Sequence, residues 1–182
     1  MSKSATVFLL SALLSLCAAA AAAGDAPQER VSVRAKGQSA VVVREGGRSH
    51  TINLVEHVDA ARIEEVSVAF LTRRGGFAYL VLDVCGMSKD PPDDRQCGAG
   101  RECNVVWLKL DPAWRVRGAQ NVRYESCWAP VTSEEGPKVA GRRLTLTVED
   151  FREDVRREVA YDADSPEAGF TVKQSALPKQ DP

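Results

Sequence analysis

From residue 31 onward, apolar and polar side chains alternate with a period of two residues, and many of the apolar ones are β-branched. Gly, Asp and Pro interrupt this alternation about every ten residues, a spacing typical of short strands joined by tight turns. The longest helical feature that we expect is a single turn over residues 59–62, capped by Asp59. The sequence therefore predicts an all-β fold of about nine short strands, an antiparallel meander that closes as a β-sandwich or barrel.

The clearest hairpin in the sequence joins residues 65–71 to residues 77–85. Gly75 and Gly76 lie between them and can adopt the positive φ angles that tight hairpin turns require. The second of these strands is almost continuously apolar. We expect it to be a central strand that is covered on both faces, since a strand with one exposed face would alternate more cleanly. Further along, residues 118–120 are expected to form a turn.

Residues 1–23 have the composition of a secretory signal peptide, with Lys3 first, an apolar run over residues 7–17 and small residues up to Ala23. A membrane-spanning helix is the alternative, but it needs about 20 strongly apolar residues, and the last part of this segment is alanine. Cys17 raises the question of a lipid anchor. Leu16 precedes it where a lipobox requires Gly, Ala or Ser, so we expect soluble release.

The sequence thus divides into a signal peptide, a linker over residues 24–30, a single β domain over residues 31–174 and a flexible tail over residues 175–182. The formal net charge of the whole chain is −1, and like charges form no long block. This pattern excludes a nucleic-acid-binding tail and a polybasic membrane patch. We expect a periplasmic or secreted protein, and the excess of Arg over Lys is typical of a GC-rich bacterial source.

Four cysteines follow the predicted signal peptide: Cys85, Cys97, Cys103 and Cys127. An even number of cysteines in an exported protein predicts two disulfides. A zinc site built from the four thiolates is the alternative, but the spacings are not those of zinc-binding motifs.

The pairing that we favour joins Cys85 to Cys103 and Cys97 to Cys127. Cys85 ends one strand and Cys103 begins the next, so a hairpin would place them opposite each other within reach of a disulfide. The other arrangement that we consider is a local Cys97–Cys103 ring with Cys85 joined to Cys127.

Residues 86–103 form a long irregular segment that both predicted disulfides constrain. Long loops in compact domains are usually functional or disordered, and the cross-links argue against disorder. A rigid loop loses little entropy when it binds a partner. We therefore interpret Gly98, Gly100, Arg101 and Glu102 as a candidate interaction surface. The alternative is that the disulfides only stabilise an inserted segment.

We predict no catalytic residues, no cofactor and no metal site. His50 and His57 would face opposite sides of one strand and could not share a metal or a proton. The serines lack a G-x-S-x-G context. The acidic groups at residues 90–94 and 162–169 lack the EF-hand calcium pattern and are typical of turns. We expect the tryptophans to pack within the sheets rather than line a binding face, and they are Trp107, Trp114 and Trp128.

These features favour a non-catalytic binding module that acts through its cross-linked loop on an envelope or extracellular protein. In architecture alone the chain resembles bacterial periplasmic lysozyme inhibitors, which are small, exported, disulfide-bearing β domains; none of their signature residues is matched here. The resemblance implies a rigid loop inserted into a partner's cleft. One alternative is an envelope hydrolase whose carboxylates are brought together by the fold. Another is a structural envelope protein that acts only through assembly.

Overall fold

The computed structural model describes residues 31–89 and 100–178, in which twelve β-strands and one short 3-10 helix are formed. The 3-10 helix, Pro166–Ala168, lies between the last two strands. The strands are β1 Ser32–Lys36, β2 Ala40–Glu45, β3 Arg48–Asn53, β4 Arg62–Arg74, β5 Phe77–Met87, β6 Arg101–Leu110, β7 Val116–Glu125, β8 Val131–Thr132, β9 Lys138–Ala140, β10 Arg143–Asp150, β11 Val155–Asp162 and β12 Thr171–Ala176.

The strands form three antiparallel sheets. The first sheet has the order β1-β2-β3, and the central sheet has the order β4-β5-β6-β7. In the third sheet the order is β12-β11-β10-β8, with β9 also paired to β10. The prediction of an antiparallel all-β fold is confirmed. The predicted strand count is too low, and no barrel closes among the described strands because each sheet keeps edge strands.

The central sheet is buried on both faces, so the sheets stack in three layers. Side chains on one face pack with the third sheet, among them Val81, Val105 and Trp107. Side chains on the other face pack with the first sheet, among them Leu80 and Leu82. Successive residues of β5 therefore enter two different cores, and this explains its nearly continuous apolar sequence. The prediction of a central strand covered on both faces is confirmed.

Two local predictions are wrong. Residues 59–62 do not form a helical turn; Arg62 begins β4, and the Asp59 carboxylate pairs with Lys89 instead of capping a helix. Residues 118–120 do not form a turn but lie inside β7. A Cβ on Gly118 would lie 3.6 Å from the ring of Trp107, an ordinary van der Waals distance.

The remaining predictions concern the two ends of the chain, the signal peptide and linker at one end and the flexible tail at the other. Strand β12 continues to Ala176, so the first residues of the predicted flexible tail are part of the third sheet. The predicted signal peptide and linker lie outside the described residues. In residues 31–89 and 100–178, no helix has the length and apolar character needed to cross a membrane.

Candidate functional site

A disulfide joins the two strands on either side of the predicted interaction loop. Cys85 and Cys103 lie directly opposite each other in the β5–β6 ladder, with 4.2 Å between their Cα atoms. This pairing is the predicted one, and the alternative that joins Cys85 to Cys127 is wrong. Cys127 is also disulfide-bonded. Cys97 lies outside the described residues, so its bridge to Cys127 stays a prediction.

We define the loop base as residues 88–89 and 100–102, where the chain leaves β5 and enters β6. The side chain of Glu102, which is 1% exposed, makes the main polar contacts of the loop base. Glu102 Oε1 accepts hydrogen bonds from Ser88 Oγ at 2.9 Å and from the backbone N–H of Cys127 at 3.1 Å. The backbone N–H of Ser88 also donates to the carbonyl of Gly100 at 3.0 Å. One buried carboxylate thus joins both sides of the loop base to the segment after β7.

The burial of Glu102 corrects its predicted place on the interaction surface. On β6 its side chain is in phase with Asn104 and Val106, which are fully buried towards the first sheet. Cys103 and Arg101 are on the other face of the strand. The alternation along β6 would predict that Glu102 is buried, provided that the strand is known to begin at Arg101. If the strand is taken to begin at Asn104, Glu102 lies in the loop and its burial is not predicted.

A second set of contacts fixes the loop base from the side of the first sheet. The Asp59 carboxylate pairs with Lys89 and with Arg123 of β7. The hydrogen bond from Lys89 holds the pKa of Asp59 below its usual range, and Arg123 adds to this effect. The indole N–H of Trp128 donates to the backbone carbonyl of Lys89 at 3.1 Å. Lys89 is therefore fixed through both its side chain and its backbone.

On the opposite face, a shallow groove of about 310 Å³ runs beside the disulfide. Arg101 lies along it, exposed and paired with Glu65 of β4. The groove is lined by Glu64, Glu65, Cys85, Gly86, Met87, Gly100 and Arg101. Two of the predicted interaction residues, Gly100 and Arg101, thus line one groove. Gly98 lies outside the described residues.

Tyr124, which is buried, and Asp83, which is partly buried, form a pair next to the same disulfide that the sequence did not predict. The Tyr124 hydroxyl donates to Asp83 Oδ1 at 2.8 Å and lies 3.4 Å from the sulfur of Cys85. Burial raises the pKa of Asp83, and the hydrogen bond from Tyr124 partly offsets this. Burial and the neighbouring Asp83 raise the pKa of Tyr124. The one available signal is that Asp83 interrupts an otherwise apolar strand.

Two carboxylates, those of Glu64 and Glu65, line the groove. Each is paired with an arginine, Glu64 with Arg62 and Glu65 with Arg101. Asp83 is not among the lining residues and accepts the hydrogen bond of Tyr124. In the described residues, His, Cys, Asp and Glu side chains form no group of three or more that could hold a metal ion.

His50, Trp107 and Trp114 are packing residues. His50 stacks on Trp114 with ring centroids 4.1 Å apart. His57 follows the end of β3 at Asn53, so the expectation that both histidines lie on one strand is wrong. Trp107 and Trp114 are buried, as expected for packing residues.

The acidic turn at residues 162–169 is held by internal contacts. Asp162 pairs with Arg143, and Asp164 pairs with Arg142. Asp162 Oδ1 also accepts the backbone N–H of Asp164 at 2.9 Å, as expected of ordinary turn chemistry. The acidic residues at positions 90–94 lie outside the described residues.

Comparison with known proteins found no matching family model, no matching curated protein and no matching solved structure.

Proposed function

We propose that this protein is an exported, non-catalytic binding module that recognises an envelope or extracellular protein. Its recognition surface consists of Gly100 and Arg101 together with the β5–β6 connection that the loop base carries. The observation that supports this proposal most strongly is the buried carboxylate of Glu102, which joins Ser88 to the backbone of Cys127. A loop base held in this way is suited to keep Gly100 and Arg101 in place for contact with a partner.

The energetic reason is the cost of ordering a loop when it binds. Each side chain that becomes immobilised on association costs about 0.5–1.5 kcal/mol of binding free energy. At the loop base this ordering is already supplied by the Cys85–Cys103 disulfide, by Glu102 and by the Lys89 contacts. The binding free energy is then available for contact with the partner.

The partner class follows from compartment and architecture. Disulfides persist in oxidising compartments, which is compatible with export. By the architectural resemblance noted above, we propose a cell-wall hydrolase of the lysozyme kind, with the connection inserted into its active-site cleft. Arg101 would contribute a cation that can pair with an acidic group there, after exchanging its present partner Glu65.

The test is a titration of the purified protein against a panel of lysozyme-type wall hydrolases by isothermal calorimetry. We expect saturable binding to at least one member and at least tenfold weaker binding of Arg101→Ala. The matched control is Arg143→Ala, since Arg143 also forms an exposed ion pair but lies in the third sheet. Absence of binding to every member, or equal weakening by both substitutions, would refute the proposal.

A second candidate function, an envelope hydrolase, is favoured by one observation, the raised pKa of Asp83. A carboxyl group whose pKa is raised is a candidate general acid. We would assay release of soluble fragments from isolated cell walls by the wild type and by Asp83→Asn. Wall hydrolysis that the substitution abolishes would favour the enzyme over the binding module.

A further inference from the structure

Strand β12 presents a long, regular edge to solvent. It pairs with β11 over six consecutive residues with no bulge in the ladder, and all six are exposed. Its other side pairs with no strand in the described part of the chain. Edges of this kind are templates for the addition of another strand.

The register of the β11–β12 ladder identifies which backbone groups point outward. The N–H of Leu177 donates to the carbonyl of Asp154, one step beyond the ladder and in the same register. In an antiparallel pair, hydrogen-bonded positions alternate. The backbone groups of residues 171, 173 and 175 therefore face β11. The N–H and C=O groups of Val172, Gln174 and Ala176 face outward.

This edge carries one of the features that usually prevent strand addition, a single lysine. Natural edges are protected by short length, bulges, prolines or charged side chains, especially Lys. Strand β12 has one charged residue, Lys173, and its position opposite Glu158 of β11 balances that charge. Val172 is 46% exposed although it is apolar. The first proline beyond the strand is Pro178.

We infer that two copies of this chain associate through β12, antiparallel, with Gln174 opposite its own counterpart on a twofold axis. Only registers that bring the outward-facing residues together can form hydrogen bonds. With Gln174 on the axis, Val172 meets Ala176 and Lys173 meets Ser175 of the second copy. The two third sheets would then form one continuous sheet through a self-complementary interface.

The neighbouring registers are less favourable. A shift in one direction places Lys173 opposite Lys173 of the second copy, and like charges directly opposite each other are destabilising. A shift in the other direction places Val172 opposite Pro178, which has no N–H to donate. The sequence of the strand therefore selects the register centred on Gln174.

The experiment is sedimentation equilibrium of the full mature chain with charge-exchange variants. We expect the wild type to dimerise, and Gln174→Lys and Gln174→Glu each to weaken the dimer at least fivefold, because each places like charges on the axis. An equimolar mixture of the two variants should recover association as a heterodimer. Gln174→Pro, which removes an outward N–H, should be monomeric.

Thr145→Glu is the control, since this exposed position lies on β10 of the same sheet and away from the edge. It should dimerise like the wild type. Circular dichroism of each variant checks the fold. A wild type that is monomeric at every concentration, a dimer that persists in Gln174→Pro, or a mixture that does not recover association would each overturn the inference.

Discussion

Glu102 and Ser88 are joined by a 2.9 Å hydrogen bond although they are fourteen positions apart in the chain. The second carboxylate oxygen of Glu102 is buried, has no hydrogen-bond partner among the described residues and lies 3.7 Å from Nε of Arg123. Burial of such a group is costly unless it is compensated. The compensation here comes from the contacts that close the loop base, so this residue links stability to the shape of the proposed recognition surface.

Replacing Glu102 by Ala should destabilise the protein, because Ser88 Oγ and the N–H of Cys127 would both lose their acceptor. We expect the free energy of unfolding to fall by about 1–3 kcal/mol, measured by urea denaturation. Glu64→Ala is the control, since Glu64 forms an exposed ion pair with Arg62. Its effect should be below about 1 kcal/mol. Equal effects of the two substitutions would show that Glu102 does not stabilise the loop base.

Gly86 should tolerate no side chain. A Cβ on Gly86 would lie 2.1 Å from the carbonyl oxygen of Arg62 and 2.9 Å from Cβ of Ala60. Gly86→Ala should lower the thermal unfolding midpoint and cost about 1–3 kcal/mol through overpacking. Gly118→Ala is the matched control in β7, where the nearest atom would be 3.6 Å away. A Gly86→Ala protein as stable as the control would contradict this packing.

Removing the Cys85–Cys103 disulfide should destabilise the protein without changing its fold. The bridge closes a loop with a sequence separation of 18, for which chain-entropy estimates give about 3 kcal/mol. We expect the Cys85→Ala/Cys103→Ala double variant to lose that amount in guanidinium denaturation while its circular dichroism spectrum stays unchanged. Stability equal to the wild type would show that the bridge does not restrict the unfolded chain.

The stability contributed by Asp83 should depend on pH with a definite sign. Because burial raises its folded-state pKa above 3.8, the folded state retains the proton more readily than the unfolded state. The free energy of unfolding should therefore decrease as the pH rises from about the unfolded-state pKa of 3.9 through the folded-state pKa. Asp83→Asn removes this loss and should be more stable than the wild type at pH 7. That advantage should disappear at pH 3, and an advantage equal at both pH values would contradict the assignment.

The sequence predicts those features that depend on one strand or on two strands consecutive in the chain. The hairpin pattern places Cys85 opposite Cys103, and the apolar run of β5 indicates cover on both faces. It does not predict features that depend on where a strand begins or on distant packing. Glu102 was expected on the surface because β6 begins earlier than its apolar residues indicate. The Asp83–Tyr124 pair requires that β5 and β7 be placed beside the same disulfide, which no local pattern specifies.

The most direct test of the proposed function replaces residues 90–96 with Gly and Ser residues, keeps Cys97, and measures binding to a wall hydrolase that the wild type binds. We expect binding to be lost while the thermal unfolding midpoint and the circular dichroism spectrum stay those of the wild type. Wild-type affinity in this variant would show that recognition lies elsewhere on the molecule.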